Sequence, residues 1–154
     1  MTDIHTKNLE LIVEAIKYCK KVKDMGMPKS CYSKALREPV FFLWEKKYGI
    51  NKYSSSKYRS VAAQNIPDNN GNLVYDHAIP FKYILEKALS MQDVNTNTVK
   101  DLLDQNLFAC TITKEEDAAL FKHGLAHKMP KDWDGLDALS RYKSAGIEVV
   151  EQNK

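Results

Sequence analysis

The sequence predicts an α+β fold, a mainly helical single domain spanning residues 1–154 with a small sheet of two or three strands. Three observations predict it. Apolar residues recur at helical spacing over much of the chain, from Leu9-Ile12-Val13-Ile16-Cys19 to Phe81-Ile84-Leu85-Ala88. Short β-prone runs interrupt them, at about 73–76, 107–112 and 147–150. Hydrophobic content of 44% and charged content of 28% are those of an ordinary globular chain rather than a disordered one.

The elements follow in order. Residues from about Thr6 to Asp24 form one amphipathic helix, which Met25-Gly26-Met27-Pro28 ends. Ser33 can cap a second helix through Trp44 and Tyr48, closed by Gly49. Pro39, which lacks a backbone donor, either kinks that helix or is its first-turn proline. The run Val40-Phe41-Phe42-Leu43-Trp44 is apolar all round and belongs in the central core. Ser54-Ser55-Ser56 caps a short helix carrying Tyr58, Val61 and Ala62.

A turn at 68–72 precedes the strand Leu73-Val74-Tyr75. Helices are expected over 80–91 and Thr98–Gln105, then the strand Leu107–Ile112. Thr113-Lys114-Glu115-Glu116 is a capping box opening a helix from about 114 to 123, and Gly124 is its stop. A last helix lies near 136–145, before the run Ile147–Val150.

Composition narrows the function classes. The net charge of +3 combines a basic stretch and an acidic one. Residues 1–60 carry 13 Lys and Arg against 6 Asp and Glu, and residues 61–154 carry 10 against 14. A basic half suits phosphate or an acidic partner, although Lys17, Lys20, Lys21 and Lys23 are explained by a solvated helix face. Cys19, Cys31 and Cys110 form no C-x-x-C pair, which suits reduced thiols in a cytoplasmic protein. No apolar run approaches the ~20 residues of a membrane helix, and the first residues lack the pattern of a secretory signal. There is no phosphate-binding glycine loop, dinucleotide fingerprint, G-x-S-x-G elbow or zinc-finger spacing.

The residues with most chemical promise are Tyr75-Asp76-His77-Ala78-Ile79-Pro80, ending in Phe81. The Asp-His-x-x-Pro segment resembles the opening of the HNH (His–metal finger) nuclease motif, over about seven residues. The resemblance implies that His77 is a general base, that Asp76 is a metal ligand, and that Asn97 or Asn106 supports a hard ion such as Mg²⁺. Those asparagines lie 20 and 29 residues beyond His77. The chain departs from the family in starting a helical pattern straight after Pro80, in having no histidine between 77 and 123, and in lacking cysteine knuckles. Read without the resemblance, His77 is a core or turn histidine bonded by Asp76 or backbone.

Other clusters carry two readings each. His123 and His127 have the spacing of a zinc pair, but Gly124 breaks the helix between them. Glu115, Glu116 and Asp117 sit where a helix N-terminus favours carboxylates. Asp132, Asp134 and Asp137 around Trp133 either bind an ion or basic partner or build a tight corner, the corner being preferred. Lys46, Lys47, Lys52, Tyr53, Lys57, Tyr58 and Arg59 interleave cations with rings, as a nucleic-acid surface does, or form a loop with inward tyrosines. The stretch Thr111–Ile147, with Met129-Pro130, Trp133-Asp134-Gly135 and Arg141-Tyr142-x-x-x-Gly146-Ile147, resembles a C-terminal pattern of uncharacterised bacterial proteins.

Two functions are therefore expected as alternatives. One is a metal-dependent endonuclease of HNH-like type, acting on DNA or RNA. The other is a small non-catalytic binding protein, of phage or mobile-element type, engaging a protein or nucleic acid through its basic N-terminal half.

Overall fold

A computed structural model describes residues 3–46 and 49–152. The fold is α+β, with a four-stranded mixed sheet whose strands lie in the order β2 (Leu73–His77), β3 (Ala109–Thr113), β1 (Tyr58–Ser60), β4 (Val149–Glu151). The chain divides into two compact units, each drawn from two separate stretches. The first comprises Met1–Lys46 with Tyr83–Gln105, and the second Lys47–Lys82 with Asn106–Lys154.

The first unit is helical. Helix α1 (Ile4–Asp24) starts where the Asp3 carboxylate accepts the Thr6 N–H at 2.7 Å, and buries Leu9, Ile12, Val13, Ile16 and Cys19. It ends at Gly26, whose positive φ of 97° lets Met27 N–H return to Val22 O. Helix α2 (Lys29–Pro39) begins earlier than Ser33 and runs into a π-helical turn, Val40–Glu45. Pro39 is not in the first turn of the helix. It is the last residue of α2, and with no N–H to give there, the chain widens to the Lys46 N–H to Phe41 O bond.

Val40–Trp44 does not form the central core that its composition implies. Val40 alone of the five is buried, and Phe42 is 50% exposed. The rings are covered by cations instead, with Arg37 5.5 Å from the Phe41 centroid and Lys46 5.3 Å from that of Phe42. Helix α4 (Phe81–Ser90) contributes buried Ile84, Leu85 and Ala88. Helix α5 (Thr96–Asn106) contributes Val99, Leu102 and Leu103. Tyr48, expected in the second helix, lies outside the described residues.

The second unit holds the sheet. Helix α3 (Lys52–Ser55) is one turn, and strand β1 (Tyr58–Ser60) follows where a helix was expected. Strand β1 is specified by its neighbours. Tyr58 and Arg59 pair in parallel with Cys110 and Thr111, and all three of its residues pair antiparallel with β4 (Val149–Glu151). Strands β2 (Leu73–His77) and β3 (Ala109–Thr113) are antiparallel, from Leu73 opposite Thr113 to His77 opposite Ala109.

Strand β3 runs directly into α6 (Lys114–Lys122) through the capping box. Thr113 Oγ1 accepts the Glu116 N–H, and Glu116 Oε1 accepts the Thr113 N–H at 2.9 Å. Helix α6 packs on both β2 and β3. After a loop, the short α7 (Ser140–Ser144) buries Arg141 and Tyr142. The core of this unit joins Ala78, Cys110, Ile112, Leu120, Leu125, Tyr142 and Ile147. Among the described residues, no helix is long and apolar enough to cross a membrane.

Candidate active site

The second unit thus contains a strand, its antiparallel partner and a helix, with His77 as the last residue of the first strand. Strand β2 is an edge strand, and along it opens a cleft of about 300 Å³. Four ionisable residues line it: Asp76, His77, Asp117 and His127. Three aromatic residues, Tyr75, Phe81 and Phe121, share the lining, and Phe121 is 75% exposed.

Consecutive strand residues leave opposite faces of a sheet, so Asp76 and His77 take different partners. The His77 ring sits edge-on to Tyr75, two residues earlier on the same face, with centroids 5.5 Å apart. Asp76 turns to α7. Its Oδ2 accepts the Tyr142 phenol at 2.6 Å and Arg141 Nη1 at 2.9 Å. Burial, then the Asp76 charge, pushes the Tyr142 phenol well above its ordinary range, so it stays a neutral donor. Cys110, opposite Asp76 on β3, is pushed up to about 12 by burial, which makes its thiol inert.

Arg141 is 1% exposed and every donor nitrogen is used. Nε donates to Leu125 O at 2.7 Å and Nη2 to Ala126 O at 3.2 Å. Nη1 also reaches His77 O at 2.8 Å and Ala78 O at 3.2 Å. One planar cation therefore holds the end of β2 against the 125–126 segment, and so sets the two walls that carry His77 and His127.

The remaining expected metal ligands are differently placed. Asn97 lies in the first turn of α5, in the other compact unit, where its N–H donates to Asn95 Oδ1. Asn106 is the last residue of α5 and is buried. Among the described residues no three His, Cys, Asp or Glu side chains form a metal-ligand group. Asp76 Oδ2 accepts two donors, the Tyr142 hydroxyl and Arg141 Nη1.

The basic segment also separates into parts. Lys52 Nζ stands 5.2 Å from the Tyr53 centroid and 5.9 Å from that of Tyr75, at the cleft lining. Lys57 stands 4.6 Å from Phe108 and 5.4 Å from Tyr58, whose ring meets Phe108 edge-on. Tyr53 is half-buried, its hydroxyl 3.5 Å from Leu73 O. Arg59 is buried and bonded to Asp68, Ala63 O and Ile66 O, so it staples a loop rather than facing a ligand. Lys46 belongs to the first unit, and Lys47 lies outside the described residues.

Other candidates resolve into local structure. His123 Nδ1 meets Ala119 O at 2.8 Å at the end of α6, and Gly124 follows with φ 72°. Asp134 Oδ1 accepts the N–H groups of Leu136 and Asp137, which holds its carboxyl below the ordinary range. The Trp133 indole donates to Asp137 O, completing the corner.

Sequence reasoning treated Asp117 mainly as a helix-start acid and gave Arg141 and Tyr142 no role in the site. The available signal was the spacing of Asp117 and Phe121, four apart on one face of a helix already placed by its capping box. No family model, curated protein or solved structure matches this chain.

Proposed function

We propose that this chain is a nucleic-acid phosphodiesterase in which His77 is the general base. The observation carrying this reading is that His77 ends an edge strand and lines an open cleft, with Lys52 beside the neighbouring Tyr75 ring. An imidazole suits proton abstraction at neutral pH. A lysine ammonium attracts a phosphate, and an exposed phenyl ring such as Phe121 offers a surface on which a base stacks.

Binding through a basic half has weaker support. Counted by unit, the first carries 11 Lys and Arg against 10 Asp and Glu, and the second 12 against 10. The charge contrast along the sequence is therefore almost absent between the folded units.

The test is cleavage of single- and double-stranded DNA and RNA by the full chain, with Mg²⁺, with Mn²⁺ and with chelator. Substituting His77→Ala should lower the rate roughly 100- to 10,000-fold, as loss of a general base does. Equal cleavage by the variant would refute the assignment. No cleavage by either protein, with salt-dependent binding retained, would replace it with the binding function.

A further inference from the structure

From the same cleft we infer a two-histidine proton-transfer site for single-stranded RNA, with His77 as base, His127 as acid and Arg141 as the positioning residue. This rests on the phosphodiesterase reading and deepens it.

Three observations converge. His77 and His127 come from different elements, fifty residues apart, yet line one cleft. Arg141 donates from one guanidinium to His77 O and Ala126 O, so a buried rigid fork determines how the two histidine-bearing segments face each other. The carboxylate beside His77 also lines the cleft, and its Oδ2 is held by Arg141 and Tyr142, the same staple that fixes the end of β2.

A site with two imidazoles can perform both proton transfers of a phosphoryl transfer, one removing and one supplying. RNA supplies a nucleophile of its own, the 2′-hydroxyl, which DNA lacks. His77 takes the 2′-hydroxyl proton as the 2′-oxygen bonds to phosphorus. His127 delivers a proton to the 5′-oxygen as the P–O5′ bond breaks. The products are a 2′,3′-cyclic phosphate and a 5′-hydroxyl, and no oxidant or reductant takes part. Exposed Phe121 suits an unpaired base, which favours single strands, and Lys52 approaches the backbone beside Tyr75.

The decisive substrates are DNA oligonucleotides carrying a single ribonucleotide, an all-deoxy control, and the ribonucleotide form with a 5′-bridging sulfur. The full chain should cleave the first in chelator, leave the second intact and release a 2′,3′-cyclic phosphate, identified by mass. Substituting His127→Ala should slow the oxygen substrate roughly 100-fold or more. The sulfur substrate should recover most of that loss, because a thiolate departs without a proton. His77→Ala should slow both alike.

His127 is exposed, and circular dichroism of both variants checks that they fold. Arg141→Lys, with a point charge in place of the fork, should lower the rate on both substrates without changing the product. An unchanged rate in His127→Ala, no rescue by sulfur, or equal cleavage of the all-deoxy strand would overturn the two-histidine assignment. If His77 remained essential in those cases, the phosphodiesterase reading would survive. No cleavage of any strand, with or without divalent ions, would overturn both.

Discussion

Two arginines are buried in the second unit, and they differ in what they hold. Arg59 bonds Asp68, Ala63 O and Ile66 O, all within nine residues of itself. Arg141 bonds Asp76 and four carbonyls from two distant segments, its ion pair spanning 65 residues. The Asp68 side chain is 29% exposed and that of Asp76 only 16%. The first arginine secures a loop that water could also solvate, and the second joins the walls of the cleft. A buried cation is therefore informative about function only through the segments it ties together.

The largest effect should come from breaking the longer-range staple. Arg141→Met strands a shielded carboxylate and four carbonyls, and should destabilise the chain by about 3–5 kcal/mol in urea unfolding. Arg59→Met should cost less, about 1–3 kcal/mol, because Asp68 can hydrate when its partner goes. Equal losses in the two variants would erase the distinction drawn here.

Alkaline pH sharpens it further. The Cys110 thiol has an ordinary pKa of 9.0, and burial in the folded chain pushes it up to about 12, which keeps it neutral. Between those values the unfolded state binds fewer protons, so stability should fall as pH rises. Urea midpoints measured from pH 8 to 11 should show that slope, and Cys110→Ala should flatten its onset between 9 and 10. Tyr142 adds a similar loss above pH ~10, where the unfolded phenol ionises and the folded one does not.

The smallest effect should be that of Thr113→Ala. It removes one side of the capping box and should cost about 1 kcal/mol, the ordinary value of an N-cap. Were this variant to slow cleavage as well, α6 would be positioning Asp117 and Phe121 rather than only covering the sheet.

Much of the fold was legible where the signal is local. The capping box at Thr113–Glu116 placed α6, the β-branched and aromatic run placed β3, and the period of Leu9–Cys19 placed α1. Strand β1 was not legible. Its residues Arg59 and Ser60 are polar yet buried, and what makes them a strand is pairing with β3 and β4. The Val40–Trp44 run misled because its composition looks like core, while Pro39 ends the regular helix just before it.

The site divides in the same way. His77 could be singled out only because Asp76-His77-x-x-Pro80 resembles the opening of the HNH motif. Its surroundings could not, since Asp117, His127 and Arg141 are 40, 50 and 64 residues further along. By itself the sequence determined the secondary elements whose caps and periods are written in neighbouring residues. Only the tertiary structure decided that Asp76 meets Arg141 and Tyr142 while the His77 ring lies against Tyr75. The pleat sends adjacent side chains to opposite faces, and which face meets a helix or solvent depends on chain folded from far away.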